Sequence, residues 1–84
     1  MTKKLANLKN AISTYQATTD RMNEVMFTDD DKLWDECDAA DNAARANLEA
    51  ALYDYAGGAL SMIDCRKLVA FKFDKVAALA SRIA

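Results

Sequence analysis

The sequence predicts an all-α chain, folded as an antiparallel bundle of three long helices. Three observations carry that expectation: proline is absent, the two glycines form the single pair Gly57-Gly58, and apolar residues recur at alternating spacings of three and four. A chain with one glycine pair and no proline has few places to turn, so its elements must be long. A hydrophobic content of 52% favours a packed core over disorder. The 84 residues suffice for one domain over 1–84. A domain of this size buries only about 60% of the surface its unfolded chain exposes. Close helix packing or self-association is expected to make up the difference.

The first helix is expected over about 3–26. Leu5, Leu8, Ile12, Tyr15, Thr19, Met22 and Met26 form a heptad seam, and the residues between them are mostly Asn, Gln, Ser, Thr and Lys. Thr2 stands where an N-cap belongs. The second helix is expected over about 29–56, capped by Thr28, with Asp29, Asp30 and Asp31 complementing the positive end of its dipole. Its buried stripe reads Leu33, Cys37, Ala40, Ala44, Leu48, Ala51 and Tyr55. Asp31, Asp35, Asp38, Asn42, Arg45 and Glu49 lie about 200° around the axis from it. Gly57 is a natural left-handed residue to end this helix.

The third helix is expected over about 60–83, opened by a capping pair Ser61 and Asp64. Met62, Cys65, Leu68, Val69, Phe73, Val76, Leu79, Ala80 and Ile83 make its broad apolar face. The alternation of Val69, Phe71 and Phe73 with Ala70, Lys72 and Asp74 also fits a half-buried strand. No second segment alternates to pair with it, so helix is preferred; the consequence is that Lys72 falls within the apolar face and Phe71 outside it.

Cys37 and Cys65 are too few for a disulfide scaffold. If their helices turn at the glycine pair, the two thiols stand about 20 Å apart along the axis. They are expected as free, buried, small apolar groups. No secretory signal or span of about 20 apolar residues is visible, so a soluble cytoplasmic protein is expected, with no membrane contact.

Histidine is absent, which removes the commonest general base and the imidazole ligand of most zinc and di-iron sites. Two cysteines cannot close a structural zinc site, no glycine-rich phosphate loop exists, and the stretch 29–41 resembles a calcium loop in charge alone. Asp38 and Asp41 share a helix face but read better as solubilising carboxylates than as a catalytic pair. No catalytic residue, metal ligand or cofactor site is assigned, and the chain is expected not to be an enzyme.

Charge is uneven. Residues 20–54 hold eleven acids against Arg21, Lys32 and Arg45, while both ends are net basic. The candidate partner-binding residues are therefore an acidic face of Asp31, Asp35, Glu36, Asp38 and Asp41, and three aromatic anchors, Trp34, Tyr53 and Phe71. The expected function is a small binding protein, an adaptor or inhibitor, that touches a protein partner through its helical surface. The alternative is an acidic nucleic-acid mimic that blocks a DNA- or RNA-binding enzyme, in the style of phage counter-defence inhibitors, a likeness that no motif carries. A helical nucleic-acid-binding protein is a third reading. It is disfavoured because Arg66, Lys67, Lys72, Lys75 and Arg82 are spread around the third helix, where ion pairing with the acidic second helix explains them. Helices of about 33–42 Å leave apolar surface on more than one side, so a homodimer of paired hairpins is a further expectation.

Overall fold

The structure, a computed structural model, describes residues 3–82, with side chains placed for 3–78. The expected cap at Thr2, the side chains of Leu79, Ala80 and Arg82, and Ile83 lie outside the described residues. Among those described, all regular structure is helical: α1 (Lys3–Val25), α2 (Asp31–Ala56), α3 (Met62–Phe71) and α4 (Phe73–Arg82). The expected third helix is thus two helices.

α1 and α2 form an antiparallel hairpin. Lys4 Nζ lies 3.8 Å from Asp54 Oδ1 at one end, and the Thr18 hydroxyl donates to Asp41 Oδ1 at 2.8 Å further along. The turn between them is capped differently from the expectation. Thr28 does not cap α2: its hydroxyl turns back to donate to the Val25 carbonyl at 2.8 Å, closing α1. Asp30 is the N-cap of α2, accepting from the Leu33 amide at 3.0 Å, and the helix begins at Asp31. A carboxylate is the stronger acceptor for these amides, and α1 has its own orphan carbonyls to satisfy.

At the other end of α2, Gly57 takes the left-handed conformation, φ +58°. A Cβ there meets nothing within 4 Å, so Gly57→Ala should cost only backbone strain, about 1–2 kcal/mol in a urea melt. Ser61 and Asp64 form the expected capping box of α3.

α3 runs back along α2, and α4 crosses to α1. Arg66 Nε sits 3.7 Å from Glu49 Oε2, while Phe73 meets Tyr15 edge to face with ring centroids 5.2 Å apart. The chain changes partner at Lys72, φ −137° and ψ 39°, whose amide still donates to Leu68 O at 2.9 Å and whose carbonyl accepts from Lys75 at 3.0 Å. This break accounts for the alternating stretch, whose pattern also fits a strand. Val69 is buried, Phe71 and Lys72 are exposed, and Phe73 turns inward. A continuous helix would have carried the Lys72 ammonium into the apolar face. The break turns it to solvent and lets two short helices cover both helices of the hairpin.

The core sits in one half of the molecule. Leu8, Ala11, Ile12, Leu48, Leu52, Cys65, Val69 and Val76 form a buried cluster flanked by Tyr15, Tyr55, Leu60, Leu68 and Phe73. Both cysteines are free and buried. Among the described residues, no third layer covers the far half of the hairpin. There Val25 and Cys37 are buried between α1 and α2, Met22 and Leu33 are half-buried, and Met26 is exposed. Ala40, expected in the buried stripe, is exposed on the side of the hairpin away from the α3–α4 layer, where it lines a shallow groove with Ala17 and Arg21. Residues 3–15 and 44–77 therefore belong to a layered core, and residues 18–41 to a two-helix extension.

Candidate functional site

The extension places a set of chemically mixed side chains on open surface. Phe73 fixes which side of α1 faces the α3–α4 layer, because it rests on Tyr15. Steps of four, three and four from Tyr15 reach Thr19, Met22 and Met26. On α2 the same side is fixed by the groove where Arg66 and Ala70 of α3 meet Asn42, Arg45, Ala46 and Glu49. Steps of four, three and four from Asn42 towards the N-terminus reach Asp38, Asp35 and Asp31, with Trp34 beside them. The stripe expected to oppose the core is thus, in its lower part, the seat of α3. Glu49 is largely covered there. Its upper part continues uncovered past the end of α3.

Trp34 lies eight residues beyond Asn42, about 12 Å along the axis. The end of α3 therefore makes a step, and above the step Asp31, Trp34, Asp35 and Asp38 share one surface with Met22 and Met26. Trp34 is 38% exposed and Met26 51%. Phe27, in the turn, is 89% exposed and joins them at the tip. Sequence reasoning passed over Phe27, although an aromatic residue directly before an acidic turn, with no seam position to fill, was the available signal.

The other expected site residues divide. Glu36 lines the opposite side of the extension, in a shallow groove with Ala17, Arg21, Leu33 and Ala40. Asp41 is half-buried and held structurally: its Oδ1 accepts from Thr18 at 2.8 Å and Thr19 at 3.1 Å. It ties α1 to α2 where no third layer helps. Asp41→Ala should cost about 1–2 kcal/mol by thermal melting, and Asp41→Asn, which keeps a neutral acceptor, less. Tyr53 is exposed at the opposite end of α2, beside the Asp54–Lys4 pair, and does not join the others. Phe71, 82% exposed, stands at the lip of the step.

Electrostatics favour cations here. Residues 26–38 carry six carboxylates against Lys32. The Asp38 carboxylate accepts from Asn42 Nδ2 at 3.4 Å, and Asp30 caps α2. Among the described residues no group of three or more His, Cys, Asp or Glu is placed to hold a metal ion. The Cys65 thiol offers little reactivity: desolvation by burial, with Asp64 and Glu49 adding repulsion, raises its pKa above the ordinary 9.0 and keeps it protonated. No described helix is long and apolar enough to cross a membrane. The chain matches no protein-family model, no curated protein and no solved structure.

Proposed function

We propose that this chain is a cytoplasmic binding protein with no chemistry of its own, and that its uncovered hairpin end grips a basic surface on a protein partner. One observation carries the reading: Met26, Phe27 and Trp34 are exposed at the same end of the molecule as six carboxylates. Exposed Trp and Phe are typical anchors of interfaces, and surrounding charge steers the encounter and selects the partner. The layered half then serves as the rigid handle, while the two-helix end supplies the contact.

The nucleic-acid-mimic reading draws on Asp31, Asp35 and Asp38 alone. They span seven residues of helix, about 10 Å, or roughly three phosphates along one strand. Asp41, which would lengthen the row, is engaged with Thr18 and Thr19.

The test is capture from nuclease-treated lysate of the source cells, comparing the native chain with the Phe27→Ser/Trp34→Ala variant. Both positions are exposed, so the variant should melt within a few degrees of the native chain. Its retention of a specific protein should fall at least about tenfold, as expected for losing two anchors. Equal retention by both chains defeats the proposal. Release of the captured protein by added duplex DNA or RNA favours the mimic.

A further inference from the structure

We infer that the surface covering the hairpin end is the α3–α4 layer of a second copy of this chain, in an antiparallel two-fold dimer. The inference rests on reading that end as a binding surface, and it names the occupant.

Three properties of the molecule fit one another. The first is shape. The α3–α4 layer covers one half of one side of the hairpin and leaves the other half bare. Beyond Asn42, which meets the end of α3, the uncovered run of α2 from Asp41 to Asp31 is about 15 Å long, and α3, with 10 residues, is about 15 Å long. The step is about one helix diameter deep. When two copies meet on this side with their long axes reversed, the layer of each fills the bare half of the other.

The second is charge. The bare half carries Asp31, Asp35 and Asp38. On α3, Cys65 and Val69 point into the core, so Ile63, Lys67, Ala70 and Phe71 form its outward stripe. Lys67, Lys72 and Lys75 are exposed on this layer against Asp74 and the capping Asp64, which leaves it net basic, and Arg66 is bound to Glu49. Acidic and basic surfaces thus stand on one side of the molecule, one beyond the other along its length. A two-fold axis between them brings each onto its opposite, and both contacts form together, so the assembly closes at two copies.

The third is apolar matching. Ile63 is 64% exposed and Phe71 82%, beside the charges that would meet the acids around Trp34 and Met26. Ile63, Phe71, Trp34 and Met26 have no place in the core of one copy. The area suffices: the principal extents are 42 × 25 × 19 Å, and even a 42 by 19 Å side is close to the about 800 Å² per partner of a stable interface.

The experiment is sedimentation equilibrium at low and high salt, with charge-swapped variants. The native chain should move from 9.3 kDa towards twice that mass as concentration rises, and should dissociate at least about tenfold more readily at high salt. Asp35→Lys/Asp38→Lys and Lys67→Glu/Lys72→Glu should each be monomeric alone. Mixed, they should form a heterodimer, because both contacts regain opposite charges. Zero-length carbodiimide coupling of mixed light and heavy native chains should join Lys67 or Lys72 of one isotope to Asp31, Asp35 or Asp38 of the other, a readout that needs no variant. A native chain that stays at monomer mass at every concentration overturns the inference, as does a dimer that no swap disturbs or cross-links confined to one isotope. If the chain is monomeric and its tip still captures another protein, the dimer falls and the binding function stands.

Discussion

Leu48→Ala is expected to lower the melting temperature by roughly 8–40 °C, while Leu33→Ala on the same helix lowers it by about 4–8 °C. Leu48 is fully buried at the centre of the cluster, among Leu8, Ile12, Leu52, Cys65 and Val69. Truncating such a leucine costs about 2–5 kcal/mol, lost transfer energy plus a cavity that neighbours on three helices cannot collapse to fill. A chain of 84 residues holds about 4–13 kcal/mol in total, so the loss removes much of it. A shift of about 4–8 °C per kcal/mol converts the cost into the melting change. Leu33 is only half-buried, in the two-helix extension, where water already reaches one side and no third layer must reorganise. Its truncation should cost about 1 kcal/mol. Equal losses at the two positions would mean that the extension is part of one cooperative core and that the division into two halves is wrong.

That division marks where the sequence was legible. The seam Leu5, Leu8, Ile12, Tyr15, Thr19, Met22 and Met26 reads as one uniform stripe, because helical periodicity records which side an apolar residue occupies and not how far the covering layer reaches. Leu5, Leu8 and Ile12 are buried; Met26, on the same stripe, is exposed. What ends the cover is the break at Lys72, which no proline or glycine announces. It was visible as a conflict, a lysine within an apolar face and a phenylalanine outside it, and the chain resolves that conflict by changing direction. Caps set within a few neighbouring residues, Gly57 and the Ser61–Asp64 pair, were legible, since they depend on local sequence alone. The choice between Thr28 and Asp30 was not, because both helix ends compete for the same few polar groups. The candidate surface was legible in its residue types. Asp31, Trp34, Asp35 and Asp38 do share a surface, but Asp41 was claimed by Thr18 and Thr19 across the hairpin, a contact that no reading of α2 alone contains.

The two thiols report the same asymmetry, with the larger effect. Measured singly, in Cys65→Ala and Cys37→Ala chains, Cys37 should react with an alkylating reagent at least about 100-fold faster than Cys65. High salt and dilution keep any self-association out of the comparison. Both thiols are free and buried, so each reacts only when the structure around it opens. Cys37 is shielded by two helices, and fraying of the extension exposes it while the core persists. Cys65 lies on the inner face of α3, in the cluster with Leu8 and Leu48, so its exposure requires α3 to leave the hairpin, which takes the core with it. Its chemistry adds a pH signature. Burial, reinforced by Asp64 and Glu49, lifts the Cys65 pKa above 9.0 in the fold, so the unfolded chain loses this proton first as pH rises. The resulting stability is fully present below about pH 9 and declines as pH climbs through the raised value. The stability advantage of the native chain over Cys65→Ala should therefore narrow at alkaline pH, with chains that share every other titrating group as the internal control. Matched alkylation rates at the two positions would show that the extension and the core open as a single unit, leaving the hairpin end without the independent mobility that its missing layer implies.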